Sequence, residues 1–357
     1  MIQKIKTIVC GSTFGQYYIE ALRKYSELFE LVGLYARGSK RSIELANRNN
    51  IILYTSINEI PKDVLLACVV IRSEGVGGDG CALAIKLMER GIHVIQEQPV
   101  YQKNIKECYK VAKKYHAIYN IGDLYIKLPS VKRFVKMAQK ICSLDSLKYM
   151  SLMFCTQVAY PALAILIEAV PSFKEWKKIS VKKENGPFDI ITGLAGNVSM
   201  TIEFNNQINP QKPDDFMYIL HKFSLFFGSG ILSLEDTFGP VTWRPRIYIE
   251  NYGNEEMSDC RLNEISYALL EDYEEKQINQ IFEKEWIDAI GLELLEMKKQ
   301  IENKKLDYKR AQKDFLVAKL WEDLYRISGY ANLVEEENYT YISIDTIRKN
   351  DEIFNKE

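Results

Sequence analysis

The stretch "KTIVCGSTFGQYYIEALRKY" (Lys6 to Tyr25) decides the fold. A short run rich in Val and Ile ends at Gly11, and a helical pattern begins at Gly15. A strand therefore feeds a helix through a glycine-bearing turn. Working outward, the same alternation recurs over the first 125 or so residues. "ELVGLYA" (30–36), "LLACVVI" (65–71), "HVIQEQ" (93–98) and "AIYNIGD" (117–123) are continuous apolar runs, as strands covered on both faces require. "SKRSIELANRN" (39–49), "GDGCALAIKLMERG" (78–91) and "NIKECYKVAKKY" (104–115) read as the helices between them. Repeated β-α-β predicts a doubly wound parallel sheet of the Rossmann type over residues 1–126.

From about Tyr149 the rhythm changes to longer alternating strands, among them "SLKYMSLMFC" (146–155), "EWKKISVKKE" (175–184), "NVSMTIEF" (197–204) and "MYILHKFSLFF" (217–227). Two long helical patterns, 275–304 and 307–329, close the chain before a polar tail. Residues 127–357 are thus expected to form an α+β domain with a mixed, mostly antiparallel sheet.

Charge is balanced, with 47 Lys and Arg against 48 Asp and Glu. No whole-chain basic field points to nucleic acid or to an anionic membrane, so any anion site must be local. The seven cysteines are scattered without C-x-x-C spacing and are expected as reduced core residues. No apolar run approaches the roughly 20 residues of a spanning helix, and a cytoplasmic protein is expected. The three histidines, His93, His116 and His221, show no metal spacing, and no metal is expected.

The turn after the first strand carries a degenerate G-x-G-x-x-G. With Gly15 in the third glycine position, Cys10 and Ser12 stand in the first two and Gly11 lies between them. Gly11 can supply the tight turn and Gly15 the close helix–strand approach. Ser12, Thr13 and Phe14 complete a loop whose backbone N–H groups would face a pyrophosphate. The competing reading is a glycine-containing βα turn with no ligand.

About 20 residues on, an NAD-dependent enzyme places an acid against the ribose 2′-hydroxyl. Here that position is Ala36-Arg37, followed by Ser39, Lys40, Arg41 and Ser42. A carboxylate would repel a 2′-phosphate, whereas these cations and hydroxyls would bind one, so the expected cofactor is NADPH. The alternative is a solvated helix start whose serines only cap. "VVIRSEGVGGDG" (69–80) follows the next strand end, and with Arg72 and Ser73 it can lie beside the cofactor, gate the cleft, or form a plain long turn.

"GIHVIQEQPVYQ" (91–102) resembles the "GxHVxxEKP" of the glucose–fructose oxidoreductase and inositol dehydrogenase superfamily, with Glu97 and Pro99 in place and Gln98 where that pattern has Lys. Within it, "CGSTFGQYY", "GLYARGSKRS", "ACVVIRS", "LPSVKRF", "CTQVAYPALAIL" and "DTFGPVTWRPRI" resemble the thiazolinyl imide reductases of siderophore synthesis, over roughly residues 5 to 250. The resemblance implies hydride transfer from NADPH to the C=N of a thiazoline, giving a thiazolidine while the intermediate hangs from a nonribosomal peptide synthetase carrier domain. It also implies Glu97, Gln98 and Pro99 beside the nicotinamide, and Tyr125 as a proton donor. Relatives usually carry His where this chain has Gln98.

The chemistry asks for the same parts. Imine nitrogen must gain a proton as carbon gains hydride, and a phenol with an unperturbed pKa of about 10 is protonated at pH 7. Tyr125 follows a strand end of the nucleotide half, where such sheets bind ligands. Packing between domains is its alternative role. Asp123 either orients Tyr125 or ends the strand, and Gln98 can position a ligand but cannot act as an acid. A homodimer is expected. A sugar or polyol dehydrogenase would carry Lys at position 98 and an Asp with His in a helix such as "YPALAILIEAV" (160–170), and a non-catalytic NADPH sensor is the third reading.

Overall fold

The computed structural model describes residues 4–73, 77–183, 186–215, 217–247, 265–335 and 340–354. In the first half, β1 (Ile5–Cys10), α1 (Gly15–Lys24), β2 (Phe29–Tyr35), α2 (Lys40–Asn49), β3 (Ile52–Tyr54), β4 (Leu66–Val69), α3 (Gly80–Glu89), β5 (His93–Glu97), α4 (Gln102–Lys114) and β6 (Tyr119–Gly122) follow one another. The strands form a six-stranded sheet in the order β3-β2-β1-β4-β5-β6, every pair parallel. That is the doubly wound arrangement read from the sequence. Chain direction across the sheet reverses between β1 and β4, which opens a crevice beyond their carboxyl ends. The added strand, β3, is a three-residue edge piece too short to carry a periodic signal.

The second half opens with α5 (Pro129–Cys142), β7 (Leu147–Cys155) and α6 (Ala159–Ala169). β8 (Trp176–Lys182), β9 (Asp189–Ala195), β10 (Val198–Asn205), β12 (His221–Phe227), β13 (Gly230–Leu234), β14 (Val241–Pro245) and β15 (Ala268–Leu269) follow, with β11 (Gln207–Ile208) outside the main sheet. The eight-stranded sheet runs β15-β14-β13-β12-β7-β10-β9-β8 and is antiparallel except where β10 lies parallel to β7. Burial alternates strictly along β12, so His221, Phe223, Leu225 and Phe227 face inward while Lys222, Ser224 and Phe226 are part-exposed. α6 is apolar on nearly every side because it is covered by β7, α5 and the last long helix.

Two C-terminal helices tie the halves together. A short helix, α7 (Ile278–Gln280), passes through a π-helical turn at Ile281–Glu285 into α8 (Trp286–Asn303), and α9 (Tyr308–Ser328) returns. The sequence reading places both long helices in the second domain. In the structure α8 lies on α1 and β6, while α9 contacts α4, α6 and β6. Gly291 allows the α8–α1 approach, since a Cβ there would stand 2.2 Å from the Tyr25 ring. Arg310 of α9 is the pin: its guanidinium donates to the Ile121 carbonyl of β6 at 2.6 Å, to Glu293 at 2.5 Å and to Glu296 at 3.1 Å.

Cys10, Cys68, Cys81, Cys108 and Cys155 are buried free thiols and Cys142 is a part-buried one, while Cys260 lies outside the described residues. No helix among the described residues is long and apolar enough to cross a membrane.

Candidate active site at the carboxyl edge of the parallel sheet

The crevice begins at the turn after β1. Gly11 has φ +110° and its N–H donates to the Tyr35 carbonyl at 3.0 Å. A Cβ at Gly11 would stand 2.3 Å from the Val70 carbonyl oxygen, so only glycine fits between the ends of β1 and β4. At Gly15 a Cβ would meet Val9 Cγ1 at 3.0 Å, the close helix–strand approach expected of the third glycine. Cys10 and Ser12, placed in the first two glycine positions from the sequence, flank the working turn residue. Ser12 and Phe14 are half-buried and Thr13 is exposed. Phe14 precedes α1 and gives its first turn no side-chain cap; its carbonyl accepts the Tyr17 N–H at 3.1 Å, which leaves the Gly15 and Gln16 N–H groups open to an anion.

At the end of β2 no carboxylate appears. Ala36 donates its N–H to the Tyr54 carbonyl at 3.1 Å and so continues the pairing with β3. Arg37 is exposed and forms no ion pair among the described residues. Arg41 reaches back across the crevice mouth, its Nη1 donating to Thr13 Oγ1 at 3.0 Å. Lys40 is exposed and stands 3.9 Å from Glu44. The serines divide differently. Ser39 caps α2, accepting from the Ser42 N–H at 3.4 Å, while Ser42 is fully buried and donates its hydroxyl to the Ser39 carbonyl at 2.8 Å. Ser42, expected among the phosphate ligands, is thus bonded back to the capping residue Ser39.

The loop after β4 folds onto itself. Gly78 and Gly80 donate to the Ser73 and Arg72 carbonyls at 3.0 Å each, and a Cβ at Gly78 would stand 2.1 Å from the Arg72 carbonyl. Arg72 is exposed at the mouth. Ser73 is buried and its hydroxyl donates to the Pro99 carbonyl at 2.5 Å, which latches this loop to the one after β5. Gly75 of the glycine-rich block lies outside the described residues.

β5 delivers Glu97, Gln98 and Pro99, and the Gln98–Pro99 peptide is cis. Glu97 accepts a hydrogen bond from the Tyr18 hydroxyl at 2.6 Å, and burial pushes its carboxyl up to about 8. It is thus a structural tie from β5 to α1. Gln98 Oε1 is buried with no hydrogen-bond partner among the described residues. An orphan acceptor at the carboxyl edge of the sheet is what a ligand donor such as a carboxamide N–H would satisfy. With the bare turn at Gly11 and the open start of α1, the residues present fit a dinucleotide.

β6 ends in Asp123 and Tyr125. Asp123 Oδ1 accepts the Tyr125 N–H at 3.0 Å and so sets the 3₁₀ turn at Tyr125–Lys127, while Oδ2 is buried without a hydrogen bond among the described residues. Burial raises the Asp123 carboxyl to about 7. It orients the Tyr125 backbone, not the hydroxyl. Tyr125 is 9% exposed, and its hydroxyl makes no hydrogen bond among the described residues. Burial holds the phenol well above its ordinary pKa, so it stays protonated throughout the neutral range.

Two residues around Tyr125 were not singled out from the sequence. His221 packs edge-to-face on it with ring centroids 5.3 Å apart. Its Nδ1 lies 3.1 Å from Thr237 Oγ1 and its Nε2 3.0 Å from the Val158 carbonyl, so Nε2 carries the proton. Burial lowers its pKa to about 4, leaving a neutral ring with both nitrogens engaged. Trp286 stands edge-to-face to Tyr125, with ring centroids 6.3 Å apart. The period-two alternation of β12 was the available signal for His221, and nothing local marked Trp286.

No group of residues suited to a metal occurs among the described residues.

Residues 5–123 match the family model described as "Oxidoreductase family, NAD-binding Rossmann fold". Residues 146–244 match "Thiazolinyl imine reductase Irp3-like, C-terminal". Among solved structures, UDP-N-acetylglucosamine 3-dehydrogenase from Acidithiobacillus ferrooxidans is similar at 11% identity and a TM-score of 0.64, covering 92% of this chain and 98% of its own. KijD10, a 3-ketoreductase from Actinomadura kijaniata solved with NADP, is similar at 12% identity and a TM-score of 0.64, covering 91% and 98%. A Clostridium difficile dehydrogenase gives 14%, 0.63, 91% and 99%. At such identities the likeness is one of fold alone. No curated protein matches the chain.

Proposed function

Because the chain belongs to the oxidoreductase family with the NAD-binding Rossmann fold and carries the C-terminal domain of the Irp3-like thiazolinyl imine reductases, we propose that it reduces the C=N bond of a thiazoline to a thiazolidine. The cofactor in this reading is NADPH. The substrate is an intermediate tethered to a nonribosomal peptide synthetase carrier domain.

The observation that carries the reading is a free, protonated phenol, Tyr125, at the carboxyl edge of β6 in a chain with that C-terminal domain. Gly11, Ser12, Thr13, Phe14 and Gly15 would hold the pyrophosphate, with Arg37, Lys40 and Arg41 on the 2′-phosphate. When bound, NADPH supplies the hydride that the imine carbon needs. Tyr125 gives its proton to the ring nitrogen, which becomes more basic as the double bond is lost. Gln98 positions a ligand through its unpaired carbonyl and holds no transferable proton. Asp123 keeps Tyr125 in place through the backbone, and His221 buttresses its ring.

Tyr125→Phe removes only the hydroxyl. Single-turnover NADPH oxidation on a thiazoline thioester should slow at least tenfold, within the usual 10²–10⁴-fold range of general acid catalysis, with NADPH affinity unchanged. A wild-type hydride step in the variant, or a wild-type protein that oxidises no NADPH with thiazolines, overturns the reading.

A further inference from the structure

α8 begins at the cleft, not away from it. The Trp286 ring lies 5.5 Å from Phe14, 5.2 Å from Tyr17 and 6.3 Å from Tyr125, centroid to centroid. It therefore spans the distance between the dinucleotide turn and the phenol at the end of β6. Phe282 packs edge-on against it at 4.6 Å. Trp286 follows the π-helical turn directly, and such turns shift the phase of a helix and recur where a side chain must be aimed at a site. The helix that carries it is fixed to α1 by the Gly291–Tyr25 contact and the Lys24–Asp288 ion pair. So the indole has little freedom.

Its polar atom is unused. Trp286 Nε1 is buried with no hydrogen-bond partner among the described residues, and an indole N–H can only donate. By contrast, the Trp176 Nε1 donates to the Leu320 carbonyl at 3.0 Å. A buried donor left open costs free energy unless something that binds there accepts from it. No acceptor among the described residues takes this proton, although the Tyr125 ring stands close by.

We propose that Trp286 is a ligand-contacting residue of the cleft, donating its Nε1–H to an acceptor oxygen or nitrogen on the bound cofactor or substrate. This rests on the dinucleotide crevice and not on the identity of the imine.

The test uses the full chain labelled with ¹⁵N-tryptophan, in which Trp176, Trp243, Trp286 and Trp321 give separate indole N–H resonances. NADPH alone, or a thiazoline thioester added to the NADPH complex, should move the Trp286 signal downfield, and the step at which it moves identifies the accepting ligand. Trp286→Phe keeps the ring contacts and removes the donor. It should weaken NADPH binding, or raise the thiazoline KM at saturating NADPH, by about three- to tenfold. An indole signal unmoved by both ligands overturns the proposal. So does a folded Trp286→Phe protein with both constants unchanged. If NADPH shifts the signal but no thiazoline is reduced, Trp286 stands and the imine reading falls.

Discussion

The Tyr18 hydroxyl donates to Glu97 Oε2 at 2.6 Å, joining the first helix of the nucleotide half to the end of its fifth strand. Gly122 is packed beneath the pair, since a Cβ there would stand 2.7 Å from the Tyr18 oxygen. Burial, more than Asp123 and Glu293 nearby, pushes the Glu97 carboxyl up to about 8 from its ordinary value of 4.5. The folded protein therefore holds a proton that the unfolded chain releases above about pH 4.5. Stability falls as pH rises from there to about 8, then levels off. Glu97→Gln keeps an acceptor for Tyr18 and removes the titration. Its melting temperature should rise relative to wild type between pH 5 and 8.5, reaching of order 1–3 kcal/mol in stability. Parallel stability curves would show that Glu97 is ionised in the fold.

His221 works in the opposite direction. Its folded pKa, lowered to about 4 by burial, lies below the 6.5 of an exposed imidazole. Between those values the unfolded chain takes up the proton, so the stability present above pH 6.5 is lost as pH falls toward 4. His221→Gln cannot reproduce both ring hydrogen bonds and should cost about 1–3 kcal/mol at pH 7. The deficit should shrink toward pH 4.5, where wild type weakens and the variant has no ring to protonate. Denaturant midpoints at pH 7.5, 6 and 4.5 check this, and a deficit independent of pH refutes it.

Arg310 pins both C-terminal helices to β6, beneath the strand end that bears Asp123 and Tyr125. Glu293 is 1% exposed, and Lys127 at 3.7 Å is its remaining cationic neighbour. Arg310→Ala would leave that carboxylate buried and poorly paired, at a cost of about 3–5 kcal/mol. Arg310→Ala with Glu293→Ala should recover much of the loss, because the pair and not the single charge is what burial tolerates. A double variant no better than the single one in urea midpoint contradicts this.

The nucleotide half was legible because each buried parallel strand is a continuous apolar run and each intervening helix keeps its own period. β3 escaped notice because three residues carry no period. The tight turn at Gly11 was readable even with Cys10 and Ser12 in glycine positions, because the essential constraint is the closeness of Val70, which needs one glycine. The inward turn of Ser42 was not legible, since a serine in a helix's first turn reads alike whether it faces solvent or bonds back to its cap. Neither His221 nor Trp286 could be placed beside Tyr125. They are 96 and 161 residues further along the chain, and only the pairing of β12 with β7 and the return of α8 onto α1 bring them there.

Selection between the two nicotinamide cofactors turns on the end of β2. The Ala36 N–H is committed to strand pairing and the buried Ser42 hydroxyl to the Ser39 carbonyl, while Arg37, Ser39, Lys40 and Arg41 are exposed where they can meet a 2′-phosphate. Arg41 is held toward the crevice by Thr13, so less side-chain freedom is lost when it binds. With no carboxylate to take a ribose 2′-hydroxyl, NADPH should bind at least tenfold tighter than NADH, about 1.4 kcal/mol. Arg41→Ala should remove most of that preference and Arg37→Ala part of it, with NADH affinity nearly unchanged in both. Because these cations are exposed, the preference should also fall as salt rises. Thr13→Val, which breaks the contact with Arg41 and keeps its charge, should lower NADPH affinity less than Arg41→Ala does. Equal titration curves for the two cofactors in the wild-type protein would place the 2′-phosphate elsewhere and leave Arg41 a surface residue bonded to Thr13.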